Sequence, residues 1–311
     1  MTAAILGLLP VFIVILVGYG LRRSGLIDAH HWDAVDHVCY YVLFPAIIFK
    51  EIASADFTGV PVWRMSFAMI MAIITMFALL LWGRKRLCDW LGLDGPQFTS
   101  VFQGSTRWHT FIAFAIIPIY FGQKALALGG LSSAAMTPLL NIVNVAVISI
   151  YGLGHRPDNR ALLRSIIRNP FVLSSLGGVA WQLLHLPVPG MGVQVLDMIG
   201  KGALGLALLT VGAGLKIDEA LSTKAPVIFA TSAKLLLMPL FMAVWLVLLG
   251  VHGEAAQVAM LCSAVPTGSG AYVLARRMGG DASLIASIMT MQVITAAFTL
   301  PLVLWLAGVT G

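Results

Sequence analysis

The sequence predicts an all-α integral membrane protein of ten transmembrane helices, arranged as two inverted five-helix repeats in which helices 4 and 9 are broken. Three observations lead there. The 311 residues are 59% hydrophobic and 10% charged, with mean hydropathy +0.94, whereas ordinary soluble domains carry about 25% charged residues. The apolar residues come in continuous runs of roughly 20, the length a helix needs to cross a bilayer, and they lack the short alternation of barrel strands. Basic residues alternate between loops, and two spans, one in each half, carry helix-breaking residues at corresponding places.

The first span covers about 4–21 and ends at Arg22 and Arg23; without a basic start or a small-residue cleavage site it reads as a span rather than a leader. The second, 32–52, contains Pro45, which predicts a kink. The third, 62–83, runs into the basic loop Arg84, Lys85, Arg86. The fourth, 97–122, is QFTSVFQGSTRWHTFIAFAIIPIYFG, apolar at both ends and polar in the middle. The fifth, 125–153, places Asn141 and Asn144 on one face. A polar, Arg-rich linker at 154–170 separates repeat 1–153 from repeat 171–311. The second repeat holds spans at about 171–186, 195–215, 227–250, 255–276 and 282–308.

Loop charges set the orientation. Odd-numbered loops hold thirteen Lys and Arg (Arg22, Arg23, Arg84, Lys85, Arg86, Arg156, Arg160, Arg164, Arg168, Lys216, Lys224, Arg276, Arg277), and even-numbered loops hold Lys50, Arg64 and Lys124. The positive-inside rule therefore predicts cytoplasmic odd loops and both termini outside the cytoplasm. Five spans per half invert the second half relative to the first, as in carriers whose midplane site faces either side in turn. The net charge of +6 reflects this topology rather than nucleic-acid binding.

Intramembrane backbone with no water needs a protein or cavity environment, and an ionisable group there marks function. Span 4 carries Ser105, Arg107, His109 and Thr110 at its centre; span 9 carries SAVPTGSGAYV, with Pro266, Thr267, Gly268 and Gly270. Proline and glycine predict that span 9 is discontinuous too. Half-helices that start at midplane aim free amides and positive dipole ends at the cavity, which favours an anion. Arg107 adds a full charge that can hold a carboxylate through two parallel hydrogen bonds; internal pairing or snorkelling of Arg107 is the other reading. His109 can carry a coupling proton or serve as a neutral hydrogen-bonding group.

The phrases LLPVFIVILVGYGLRRSGLI, YYVLFPAIIF, FQGSTRWHTFIAF and VPTGSGAYVLARRMGGD, in that order, together resemble the auxin efflux carrier family, including its bacterial malonate-transporter-like members. The resemblance spans essentially the whole chain. It implies ten helices in two inverted repeats, with helices 4 and 9 crossing at the substrate site, and organic-anion substrates such as auxin-type aromatic acids or dicarboxylates. It also implies an architecture like that of the bile acid transporters, and with it the alternative of an ion-coupled symporter for another solute class. Where relatives commonly carry an Asn-Thr pair, this sequence has His109 and Thr110. Alternating access by an elevator or rocking motion, against a scaffold of the first two spans of each half, follows from the resemblance and from inverted-repeat logic.

Secondary candidates are Asp33 with His37 and Asp197 with Lys201, four apart and able to form gating or coupling ion pairs, or else plain interfacial charges. Asn141, Asn144, Gln292 and Thr295 can contact substrate or bond neighbouring helices. Lys234, inside span 8, reads as a snorkelling lysine. Trp63 and Trp90 fit interface anchors. An enzyme is disfavoured: no nucleophile–base set, Walker loop or metal cluster is evident, adjacent His30 and His31 make a poor metal pair, and Cys39, Cys88 and Cys262 have no ligand spacing. A channel would need repeated polar rings. The expected partners are a small organic acid anion and the lipid bilayer of a plasma or inner membrane, with no nucleic acid, no cofactor and a homodimer as an option; coupling to H⁺ or Na⁺ stays open.

Overall fold

The computed structural model describes residues 2–55, 60–152, 168, 170–215, 217 and 225–309. The described residues are helical throughout, with no strand among them. In the first half the helices are α1 (Thr2–Arg23), α2 (Ala29–Val38), α3 (Phe44–Ala53), α4 (Val62–Trp82), α5 (Arg84–Leu91), α6 (Gly95–Thr106), α7 (Thr110–Phe121) and α8 (Leu126–Tyr151). In the second half they are α9 (Pro170–Leu183), α10 (Gly190–Gly200), α11 (Ala203–Ala213), α12 (Ala225–Ser232), α13 (Met238–Leu248), α14 (Gly253–Ala264), α15 (Gly270–Met278) and α16 (Ala282–Leu306). Most of the predicted linker 154–170, together with Lys216 and Lys224, lies outside the described residues.

Six helical stretches are long and apolar enough to cross a membrane: His30–Ala53, Val62–Trp82, Gln123–Tyr151, Gly190–Ala213, Ala225–Leu248 and Ala282–Leu306. Large apolar side chains cover the outside, among them Phe298 and Met198, each more than three-quarters exposed. Surface of that extent needs a lipid solvent, and the chain is a multi-pass membrane protein.

Span interruptions follow local chemistry. The kink expected at Pro45 is a π-helical turn at Cys39–Leu43, closed by the Phe44 amide bonding the Cys39 carbonyl; Ala233–Leu237 repeats it before Pro239. Proline cannot donate to the carbonyl four residues back, so a wider turn absorbs the mismatch. Span 7 carries a turn at Lys201–Gly202 between α10 and α11. The basic loop after span 3 is the short helix α5, whose Leu87 is buried and whose Arg84 guanidinium lies 4.3 Å from the Tyr151 ring centroid.

Two packing groups emerge. In one, α1 lies along α11, and α3 along α9 and α10. A Cβ at Gly212 would stand 1.8 Å from the Ile15 carbonyl oxygen, and one at Gly18 would stand 2.1 Å from that of Leu209. Small residues thus let the α1 and α11 backbones touch. In the other group, α4 packs on α8 and α13, and α16 on α6, α12 and α14. The N-terminal ends of α6 and α16 are tied where the Ser100 hydroxyl donates to the Asp281 carbonyl at 2.8 Å.

Candidate functional site at the crossing of two interrupted helices

Asp94 starts α6 with a capping box: its carboxylate accepts from the Gln97 amide at 2.8 Å, and its own amide donates to the Gln97 side chain. The helix stops at Thr106, because Arg107 (φ −72°, ψ 160°) and His109 (φ −100°, ψ 92°) are extended, and α7 begins at Thr110. In the second half α14 stops at Ala264, Val265 is extended, and α15 begins at Gly270. The two gaps touch. Thr267 Oγ1 donates to the Gly104 carbonyl at 2.8 Å, and a Cβ on Gly268 would stand 2.8 Å from the Trp108 carbonyl oxygen. Glycine permits that approach.

Gln292, from α16, fastens the crossing. Its Nε2 donates to the Gly104 carbonyl at 2.7 Å and the Ala230 carbonyl at 3.3 Å, and its Oε1 accepts from the Thr267 amide at 2.8 Å. One buried amide thereby joins both interruptions to α12.

Arg107 is half-buried. Its Nη2 donates to Asn141 Oδ1 at 3.0 Å, and its Nε is buried with no partner among the described residues. Among the described residues no carboxylate lies within ion-pair distance of it; the ion pairs found are those of Lys50 with Glu51 and Asp197, both at 2.7 Å. One turn earlier, both amide atoms of the fully buried Gln103 also lack partners. Such atoms cost about 1–3 kcal/mol each in a dry interior.

A small cavity of about 40 Å³ opens at the crossing, lined by Asp36, His109, Thr210, Thr267, Ser269 and Thr290 with Val211, Gly214, Leu215, Met289 and Val293. That space holds roughly three waters. Anything larger needs the helices to move apart.

The predicted residues divide sharply. Arg107, Asn141, His109, Thr267 and Gly268 gather at the crossing, with half-buried Thr110 opening α7 and buried Pro266 holding the second gap. Ser105, Asn144 and Gln292 are fully buried and already bonded: Ser105 donates to the Val101 carbonyl, Asn144 donates to the Leu140 carbonyl and accepts from the Thr106 hydroxyl, and Gln292 is spent on the crossing itself.

The charge pairs also rearrange. Asp197 meets Lys50 of α3 rather than Lys201, since α10 packs against α3. Asp33 and His37 are exposed, His37 stacking on Tyr41. Asp36 lines the cavity instead, and sequence reasoning passed over it. Its signal was the stripe Trp32, Asp36, Cys39, one helical face on which Trp32 and Cys39 are buried. Gln103 was legible only as part of the polar centre of span 4. Lys234 does not snorkel: it is fully buried, its Nζ donating to the Ser263 carbonyl at 2.8 Å. His30 and His31, set aside as a metal pair, come together with Asp28 with ligand atoms within 4.8 Å, but all three are exposed at the start of α2.

Comparison with known proteins identifies the family. The family described as "Membrane transport protein" matches residues 3–91 and 134–304. An uncharacterized transporter of Methanothermobacter thermautotrophicus is 23% identical over 94% of this chain and 95% of its own length. A Rhizobium meliloti protein named "Putative malonate transporter" is 27% identical over 89% of this chain and 88% of its own. Auxin efflux carrier component 4 of Arabidopsis thaliana is 28% identical over 36% of this chain and 19% of that carrier. With a multi-pass helical body, paired helix interruptions and a family match across most of its length, the chain belongs to the membrane transport protein family, which is auxin efflux carrier-like.

Proposed function

We propose that this protein is a secondary carrier that moves a small organic anion, a carboxylate of the malonate-like or auxin-like kind, across the plasma or inner membrane. The observation that carries the reading is Arg107: a cation at the meeting point of two interrupted helices, bonded to one neutral amide, with no carboxylate beside it among the described residues. A half-buried guanidinium left in that state is stabilised by an arriving carboxylate, which adds charge-assisted hydrogen bonds to atoms now unmet. The first turns of α7 and α15 add their dipoles. The names of the malonate and auxin relatives point to the same substrate class.

In this reading the ten spans form inverted repeats at 1–153 and 171–311 about a cytoplasmic linker at 154–170, with both termini outside. The α1–α11 and α3–α9–α10 packing suits a static scaffold, and the group around the crossing suits a body that slides against it. The Lys50–Asp197 pair joins two scaffold helices, so it braces the scaffold rather than gating the site. Alternating exposure then needs no change within either group.

The test is uptake into proteoliposomes with a panel of mono- and dicarboxylates, with and without Na⁺ and a pH gradient. Accumulation of at least one acid is expected. Transport of a cation, with every acid excluded, would overturn the reading.

A further inference from the structure

Lys234 takes no part in the anion site described above, yet it is fully buried in the middle of span 225–248, on the π-helical turn Ala233–Leu237. A buried ammonium is tolerated only with compensation, and among the described residues no carboxylate is within ion-pair distance of it. Its compensation is backbone. Nζ donates at 2.8 Å to the carbonyl of Ser263, in the last turn of α14, where that helix ends at the crossing. Helix C-terminal carbonyls carry partial negative charge, and at midplane they are where broken-helix carriers bind coupling cations.

The corresponding end of α6 is also met by the chain: the Gln103 carbonyl accepts from the Arg107 amide, and the Gly104 carbonyl from Thr267 and Gln292. Backbone and neutral side-chain donors serve at α6, and a lysine Nζ at α14. One turn before Lys234 on the same face, the buried Thr231 hydroxyl has no partner among the described residues. The carbonyl end of α14 thus receives the lysine Nζ, and an unpartnered hydroxyl oxygen lies one turn away along the same helix.

We propose that Lys234 is a tethered substitute for a coupling cation: its ammonium fills the carbonyl end of α14, so that this half-site is permanently occupied and the protein needs no Na⁺ there. This rests on reading the interrupted helices as those of a carrier. It predicts that removing the ammonium turns the pocket into a site for a free alkali cation, which a merely structural lysine would not.

Thermal unfolding of the purified full chain in detergent tests it, in NaCl, LiCl, KCl or choline chloride at equal ionic strength. The unaltered protein should unfold at one midpoint in all four. Lys234→Ala and the bulkier Lys234→Gln should each unfold about 5 °C or more lower in choline, and regain part of that loss saturably as one of the alkali cations is raised. Saturable stabilisation of the unaltered protein by Na⁺ would overturn the proposal, as would folded variants indifferent to all three cations. If Lys234→Ala does not fold, Lys234→Gln and the unaltered protein still decide. Unfolding requires no transport, so failure of the carrier reading would appear separately, in the uptake panel.

Discussion

At the residue scale, function turns on which polar atoms are spent and which are free. Gln292 has spent its amide on three backbone partners. Replacing it with Leu should lower the unfolding midpoint by roughly 5–10 °C, since the buried Thr267 amide loses its acceptor; an unchanged midpoint would remove Gln292 from the crossing. Arg107 has spent one nitrogen on Asn141 and keeps the rest. Arg107→Gln should weaken carboxylate binding about 10- to 100-fold, the worth of a charged hydrogen-bonded contact. Isothermal titration on folded variant protein measures it, and unchanged affinity would return Arg107 to a structural role. Asp36 lines the cavity with a charge of the substrate's own sign. Asp36→Asn should therefore tighten anion binding by about tenfold; weaker binding would mean that Asp36 holds the site in shape.

At the element scale, backbone proximity decides what each helix tolerates. Two glycines of α11 make the contrast. Gly212 presses on the Ile15 carbonyl of α1, whereas a Cβ at Gly205 would meet nothing within 4 Å. Gly212→Ala should force α1 and α11 apart and cut the yield of folded protein, while Gly205→Ala should be neutral or raise stability by up to about 1 kcal/mol through helix propensity. Size-exclusion profiles and unfolding midpoints compare the two, and equal behaviour would contradict the close packing. The gaps at Arg107–His109 and Val265–Ser269 follow the same logic: each lies against the other, and Gln292 of α16 bonds both.

At the scale of the whole molecule, the division into two packing groups carries the proposed elevator motion. Gly130 of α8 and Ile48 of α3 sit across the boundary; a Cβ at Gly130 would stand 3.0 Å from Ile48 Cγ2. Gly130→Cys with Ile48→Cys, in a background where Cys39, Cys88 and Cys262 are replaced, should form a disulfide that stops uptake until it is reduced. Gly200→Cys with Ile47→Cys joins α10 to α3 inside the scaffold, where a Gly200 Cβ would lie 3.1 Å from Ile47 Cβ. That bond should leave uptake intact. Uptake that persists through the first cross-link would reject relative sliding of the two groups.

Much of this was legible in the chain. Hydropathy placed the long helical stretches to within a few residues, among them the six that are long and apolar enough to cross a membrane, because a bilayer demands long apolar helices and tolerates little else. Pro266 and Gly268, and the polar run around Arg107, located both gaps, because their effects on backbone are local. Four phrases in order pointed to the family. What lay beyond reach depended on contacts between distant segments. Sequence spacing paired Asp197 with Lys201, but helix packing brought Lys50 to it. Ser105, Asn144 and Gln292 were chosen as polar groups near the gaps, and only the fold revealed that backbone carbonyls and amides had already claimed them. Asp36 and Lys234 gained their meaning in the same way, one from a cavity, the other from the end of a helix 29 residues along the chain. Lipid selects spans one segment at a time, so a linear sequence carries that information. Whether a buried polar atom is satisfied depends on the other segments around it, and that was settled by the tertiary structure alone.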